Sequence, residues 1–204
     1  MEIKNNFDKY VYIEIGVDSL FSAIRFYSEH RDKQWTFELF EPSRNCFFKT
    51  RFKQDRKYLK KRGVRVNLHK VGAYSSNKTM ILYHGKMHRK GSSTLFLGKA
   101  DHKVEYNKST EVKCIDFDEW VKNNLSKKDY IHMRMNCEGA EYEILPKMIE
   151  GGSIDYINSV DLHFHYFKFD EENRKIFDSR HQYLKKYFRE RDFDAKMFNG
   201  LDSL

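Results

Sequence analysis

The run VYIEIGVDSL at residues 11–20, followed by FELFEPS at residues 37–43, constrains the fold more than any other feature of the chain. Residues 10–15 are apolar enough for a buried strand, which carries Glu14 near its end and turns at Gly16. Residues 19–29 then place Leu20, Ile24 and Tyr27 at helical spacing, and residues 35–40 form a second apolar strand closed by Glu41 and Pro42. Strand, glycine turn, helix and strand in this order predict a parallel α/β sheet. In such sheets ligands settle at the carboxyl ends of strands, and a carboxylate after the second strand accepts hydrogen bonds from ribose hydroxyls. The layout points to a nucleoside-bearing cofactor, an adenosine derivative.

The alternation continues along the chain. Residues 44–62 read mostly as helix, and 64–71 hold a third strand after the break at Gly63. Helix is expected at 116–124, a fourth strand at 130–135, and helix again at 141–149 despite Pro146. A fifth strand covers 157–166. A long helix follows with Ile176, Phe177, Tyr183, Leu184, Tyr187 and Phe188 as its apolar stripe, and residues 192–198 return as a last strand. Between 78 and 112 the pattern breaks into short β-like pieces and polar turns. Residues 78–110 are therefore expected to be an insertion or edge hairpin lining the ligand site. No repeat or Pro-rich linker divides the chain, and 204 residues at 40% hydrophobic content suffice for one core, so residues 1–204 are expected to form a single domain.

Composition excludes several classes. No apolar stretch reaches the roughly 18 residues of a membrane span, and the start lacks a secretory signal's apolar centre, so a soluble, cytoplasmic protein is expected. Cys46, Cys114 and Cys137 are far apart, without the paired spacing of zinc or redox sites. The net charge of +8 keeps anionic partners open. Nine basic residues and one acid, Asp55, lie between Lys49 and Arg65, interleaved with Phe52 and Tyr58. Such a patch can track nucleic-acid phosphates. It is equally the solvated face of a connecting helix that buries Phe48, Phe52 and Leu59.

Five ordered segments resemble the FkbM-type methyltransferases: IEIGVD at Ile13, FEPS at Phe40, KVGAYS at Lys70, CIDFDEW at Cys114 and RMNCEGAEYEIL at Arg134. The last is similar to that family's Lys-x-Asp-x-Glu-Gly-x-Glu pattern at the end of the fourth strand. The resemblance implies a Rossmann-like α/β fold, with a seven-stranded methyltransferase sheet, helices on both faces and a small β-rich insertion. It also implies S-adenosylmethionine as cofactor and a sugar or glycan hydroxyl as acceptor. The chain departs from the pattern at Leu20, where the family has small residues and a second glycine, at Arg134, where it has lysine, and at Asn136, where it has aspartate.

A sulfonium nucleoside needs carboxylates, turn amides and a flat apolar slot. Glu14, Gly16, Asp18 and Ser19 are placed for its amino-acid tail, Glu41 with Pro42 behind it for the ribose diol, and Gly72 and Ala73 for the adenine. Glu38 competes with Glu41 by sequence distance. Transfer to oxygen is an in-line displacement that needs alignment and a route for the hydroxyl proton. Glu138 lies just past the fourth strand. Asp161, His163 and His165 alternate along the fifth and so should share a face. In one mechanism His163 or Glu138 takes the proton, with Asn136 and Asp161 orienting the base or the sugar. In the other, a divalent ion held among Asn136, Glu138, Asp161 and His163 acidifies the hydroxyl. The metal-free route is preferred, since a neutral Asn136 is a weak ligand for a hard cation, and no metal site is assigned.

Tyr83, His84, His88, Ser92 and Ser93 give the 78–110 segment groups to hydrogen-bond a polyhydroxylated acceptor. The abrupt start at the first strand also suggests a domain of a larger, multidomain glycan-assembly protein. Two further functions remain open: an RNA methyltransferase using the 49–65 patch, and a methyltransferase-like binding subunit without catalysis, motivated by Leu20 and Asn136.

Overall fold

The computed structural model describes residues 7–17, 19–86, 93–99, 104–191 and 193–199. Six strands form the main sheet: β1 (Tyr10–Ile15), β2 (Trp35–Phe40), β3 (Arg65–His69), β7 (Tyr130–Met135), β8 (Ser159–Phe164) and β9 (Asp194–Asn199). Their spatial order is β3-β2-β1-β7-β8-β9, and all neighbours run parallel. The family resemblance implies a seventh strand, but the main sheet has six among the described residues. The chain leaves β1 in one direction and returns in the other at β7, which opens a crevice between their carboxyl ends.

Alternation along β1 separates two cores. Val11, Ile13 and Ile15 pack with α4 (Phe117–Asn124), α5 (Glu141–Gly151) and α6 (Glu171–Glu190). Tyr12 packs with Phe37, Leu39 and the buried residues of α1 (Phe21–Glu29) and α3 (Thr50–Lys61). Helices thus cover both faces, as a parallel sheet requires. The long helix is narrower in its apolar contact than its sequence suggests. Phe177, His181, Leu184 and Phe188 are buried, whereas Ile176 and Tyr183 are 50% and 49% exposed. Pro146 sits inside α5, where it cannot donate to the Tyr142 carbonyl. The Arg180 guanidinium of α6 donates to that carbonyl instead, at 3.3 Å, so the proline is accommodated by a neighbouring helix.

The 78–110 segment differs most from expectation. β5 (Lys78–Gly85) pairs antiparallel with β6 (Val104–Asp116), a single strand of 13 residues where only short pieces were expected. β4 (Gly72–Tyr74) joins the other side of β6 in parallel, giving a separate sheet of order β4-β6-β5. Gly72 permits this approach, since a Cβ there would lie 2.7 Å from the Cys114 sulfur. α2 (Arg44–Phe48) completes the α-helical elements.

Candidate active site at the carboxyl ends of the strands

A cavity of about 290 Å³ opens at the β1/β7 crevice. The end of β1 supplies Glu14, Ile15 and Gly16; the end of β2 supplies Phe40, Glu41 and Pro42; the loop after β7 supplies Asn136, Cys137 and Glu138. Ser19 and Ser22 line it from the entry to α1, Gly72 and Ala73 from β4, and Ser93, Thr94 and Leu95 from the segment after β5. The residues expected to hold a cofactor, Glu14, Gly16, Ser19, Glu41, Pro42, Gly72 and Ala73, therefore share one cavity. Asp18 lies outside the described residues.

Gly16 closes the first turn with a φ of +86°, and a Cβ added to it would sit 2.1 Å from the Asn136 carbonyl oxygen. Any side chain would push apart the β1 and β7 loops that frame the cavity. Leu20 stands where the family pattern has small residues and a second glycine. Its side chain is fully buried with Val17 and Ala23 in the core under α1 and does not line the cavity.

Glu14 is 3% exposed. The Tyr12 hydroxyl donates to its Oε2 at 3.0 Å. Arg134 Nε stands 3.5 Å from Oε1, too far for a hydrogen bond. Burial outweighs these partners and pushes the Glu14 carboxyl up to about 7. Glu41 is fixed differently, accepting a hydrogen bond from the Ser43 amide at 2.7 Å. Its competitor Glu38 binds Asn67 and His69, each at 2.7 Å, and does not line the cavity.

At the other end, Glu138 adopts a φ of 53° just before Gly139. A Cβ on Gly139 would meet the Phe169 ring at 2.8 Å, so the turn is tightly enclosed. Lys99 Nζ lies 2.8 Å from Glu138 Oε2, Lys168 Nζ 3.2 Å from the same atom, and His165 Nε2 3.6 Å from Oε1. Burial alone would raise this carboxyl, but His165, Lys99 and Lys168 together bring it down to about 2. Glu141 completes the group: it accepts from the Gly139 and His165 amides, both at 2.9 Å, and its Oε1 lies 3.0 Å from His165 Nδ1. Thr94 Oγ1 donates to the Glu138 carbonyl at 2.8 Å, tying the segment after β5 to the same turn.

Of the remaining expected site residues, Asp161 and His163 lie apart from this group. β8 ends at Phe164, so His165 leaves the strand's alternation and turns toward Glu138 and Glu141. Asp161 and His163 stay on the strand, and neither lines the cavity. His163 stacks on Phe198 at 4.6 Å, and burial pushes its imidazole down to about 4. Asp161 lies 3.9 Å from Arg134. Register places Glu14, Arg134, Asp161 and Lys196 side by side across β1, β7, β8 and β9, a row of alternating charge. Asn136 lines the cavity through the loop that contacts Gly16.

Sequence reasoning missed Lys99 and Lys168 altogether. Glu141 was visible as the position of the second glutamate in the Lys-x-Asp-x-Glu-Gly-x-Glu pattern, but its role as a clamp on His165 was not. Of the expected acceptor wall, Ser93 lines the cavity and its Oγ accepts from the Gly85 amide at 3.1 Å. His84 bonds Thr110 at 2.7 Å, and Tyr83 packs edge-on to Tyr106. His88 and Ser92 lie outside the described residues. Among the described residues, no group of three or more His, Cys, Asp or Glu side chains is arranged to hold a metal ion, and no helix is long and apolar enough to cross a membrane.

The family model of the methyltransferase FkbM domain matches residues 14–195. No curated protein and no solved structure gives a significant match.

Proposed function

The chain belongs to the FkbM methyltransferase family, and we propose that it transfers the methyl group of S-adenosylmethionine to a hydroxyl of a sugar in a glycan or glycoconjugate. The observation that carries this reading is the pair of buried acids, Glu14 and Glu41, at adjacent strand ends of one cavity. Glu14, with Gly16 and Ser19, receives the ammonium tail, and the under-neutralised Glu14 gains the cation that its protein surroundings supply only loosely. Glu41, backed by Pro42, takes the ribose diol, and Gly72 and Ala73 leave a flat surface for the adenine.

Bound there, the cofactor supplies an electrophilic methyl carbon, and the residues of the chain position the acceptor. Asn136 and Glu138 face the acceptor side, with Leu82, Ser93, Thr94 and Leu95 as its wall. A free hydroxyl is a poor acid, but an oxygen that has begun to bond carbon holds its proton far more weakly. A carboxylate near pKa 2 can therefore take that proton late in the transfer. S-adenosylmethionine held by Glu14, Ser19 and Glu41 would supply the methyl group and leave as the neutral thioether, and the acceptor's proton would pass to Glu138, with His165 and Glu141 behind it. Asp161 acts as a positioning residue through Arg134. His163, stacked on Phe198, has no part in the proton route.

Incubating the protein with methyl-labelled S-adenosylmethionine and a panel of glycans tests the reading. Label should appear on a sugar oxygen, and Glu138→Ala should abolish it. Label on RNA instead, or cofactor that never binds by calorimetry, would replace this function with one of the alternatives raised by the 49–65 patch or by Asn136.

A further inference from the structure

We infer that the outer face of α3 is a binding track for an acidic glycan, a polymer bearing carboxylates on successive sugars, whose acceptor unit occupies the cavity. The inference rests on the proposed sugar acceptor and extends it to the charge of the chain carrying that sugar.

The placement of the basic residues motivates it. α3 begins next to the cavity, because Ser43 and Cys46 line the cavity and Lys49 Nζ lies 4.0 Å from the Cys46 sulfur. It then runs back to the opening of β3, antiparallel to the strands, over about 18 Å at 1.5 Å per residue. Phe52, Asp55 and Leu59 face inward. At 100° per residue, Lys53, Lys57, Lys60 and Lys61 fall on the opposite side, and all are exposed. Asp55, the one acid in this stretch of sequence, is buried and bound by Arg51 at 2.9 Å, so it offsets none of these lysines. A second hollow, of about 340 Å³, opens at the far end, lined by Arg31, Arg62 and Lys33, the last paired with Asp32 at 3.1 Å, which leaves a net positive lining. Positive charge thus runs from the cavity rim to a second concave site.

The chemistry of the track favours a polymer recognised by charge. Nucleic-acid binding draws on aromatic rings that stack on bases, yet Phe52 is buried and Tyr58 is covered by the Arg62 guanidinium 3.6 Å from its ring centre. The large apolar side chains that are exposed, such as Phe21, Leu97, Ile176 and Tyr183, all lie off α3. A membrane-surface helix needs an apolar face to insert, and α3 turns its own inward.

Calorimetry on the whole chain tests this with three probes, an oligogalacturonate, a neutral dextran of similar length and a single-stranded RNA, alongside S-adenosylhomocysteine. The oligogalacturonate should bind more tightly than the other two, with affinity falling as salt rises. The triple variant Lys53→Glu, Lys57→Glu, Lys60→Glu should lose about tenfold or more of that affinity while binding S-adenosylhomocysteine as before. Oligogalacturonate binding no tighter than dextran, an unaffected triple variant, or preferential binding of RNA would each overturn the track. Failure to bind S-adenosylhomocysteine would instead overturn the cofactor reading, and the effect of the lysine substitutions on oligogalacturonate would still decide the track.

Discussion

Glu14 at the β1 end and Glu138 at the β7-loop end line one cavity, 3% and 7% exposed, yet burial pushes the first carboxyl up to about 7 while positive neighbours bring the second down to about 2. Burial penalises both charges, so the difference lies in their partners. Glu14 has Arg134 at 3.5 Å, and that guanidinium also faces Asp161 at 3.9 Å. Glu138 has Lys99 at 2.8 Å, Lys168 at 3.2 Å and His165 at 3.6 Å. One end of the cavity is left short of positive charge, as suits a site that receives a cation. The other is neutralised in advance, as suits a fixed group that faces an acceptor hydroxyl.

The two ends should respond oppositely to pH. Glu138 is depressed below its ordinary value of 4.5, so its contribution to stability is present above that value and is lost as pH falls toward about 2. Glu14 is raised, so its contribution is present below 4.5 and is lost as pH rises through about 7.

Substitutions can break this contrast. Glu138→Ala should have the largest effect, because it removes the carboxylate 2.8 Å from the Lys99 ammonium, whose side chain is 0% exposed, at a cost of about 3–5 kcal/mol in urea unfolding. Glu14→Gln should leave stability at pH 8 unchanged or slightly higher, and equal losses from the two variants would void the comparison. Leu20→Ala should cost about 2–5 kcal/mol of stability without altering affinity for S-adenosylhomocysteine, since Leu20 packs into the core. Gly16→Ala should do the reverse in character: the positive φ alone costs about 1–3 kcal/mol, and the clash with Asn136 should abolish cofactor binding in calorimetry. The smallest effect is the most specific. Affinity for S-adenosylhomocysteine should rise about tenfold between pH 6 and pH 8 as Glu14 ionises, and Glu14→Gln should flatten that profile.

The cofactor end was far more legible in the sequence than the acceptor end. β1, β2 and β7 were read at their true bounds because buried apolar residues recur along each of them. Their tips then follow from parallel topology, which is why Glu14, Gly16 and Glu41 could be named. β6 was missed because a run of its residues faces solvent, which erases the apolar alternation that marks a half-buried strand. Period-two reasoning on Asp161, His163 and His165 failed at Phe164, where the strand ends and His165 turns to the other group. Lys99 carried no signal, since a lysine buries its charge only when the fold delivers a carboxylate to it. That carboxylate comes from Glu138, far along the chain.

A crystal structure with S-adenosylhomocysteine bound tests the central claim most directly. The account predicts the amino-acid tail against Glu14 and Gly16, the ribose hydroxyls on Glu41, and the sulfur facing the Glu138 end. A nucleoside bound elsewhere, or one that touches neither Glu14 nor Glu41, would contradict it.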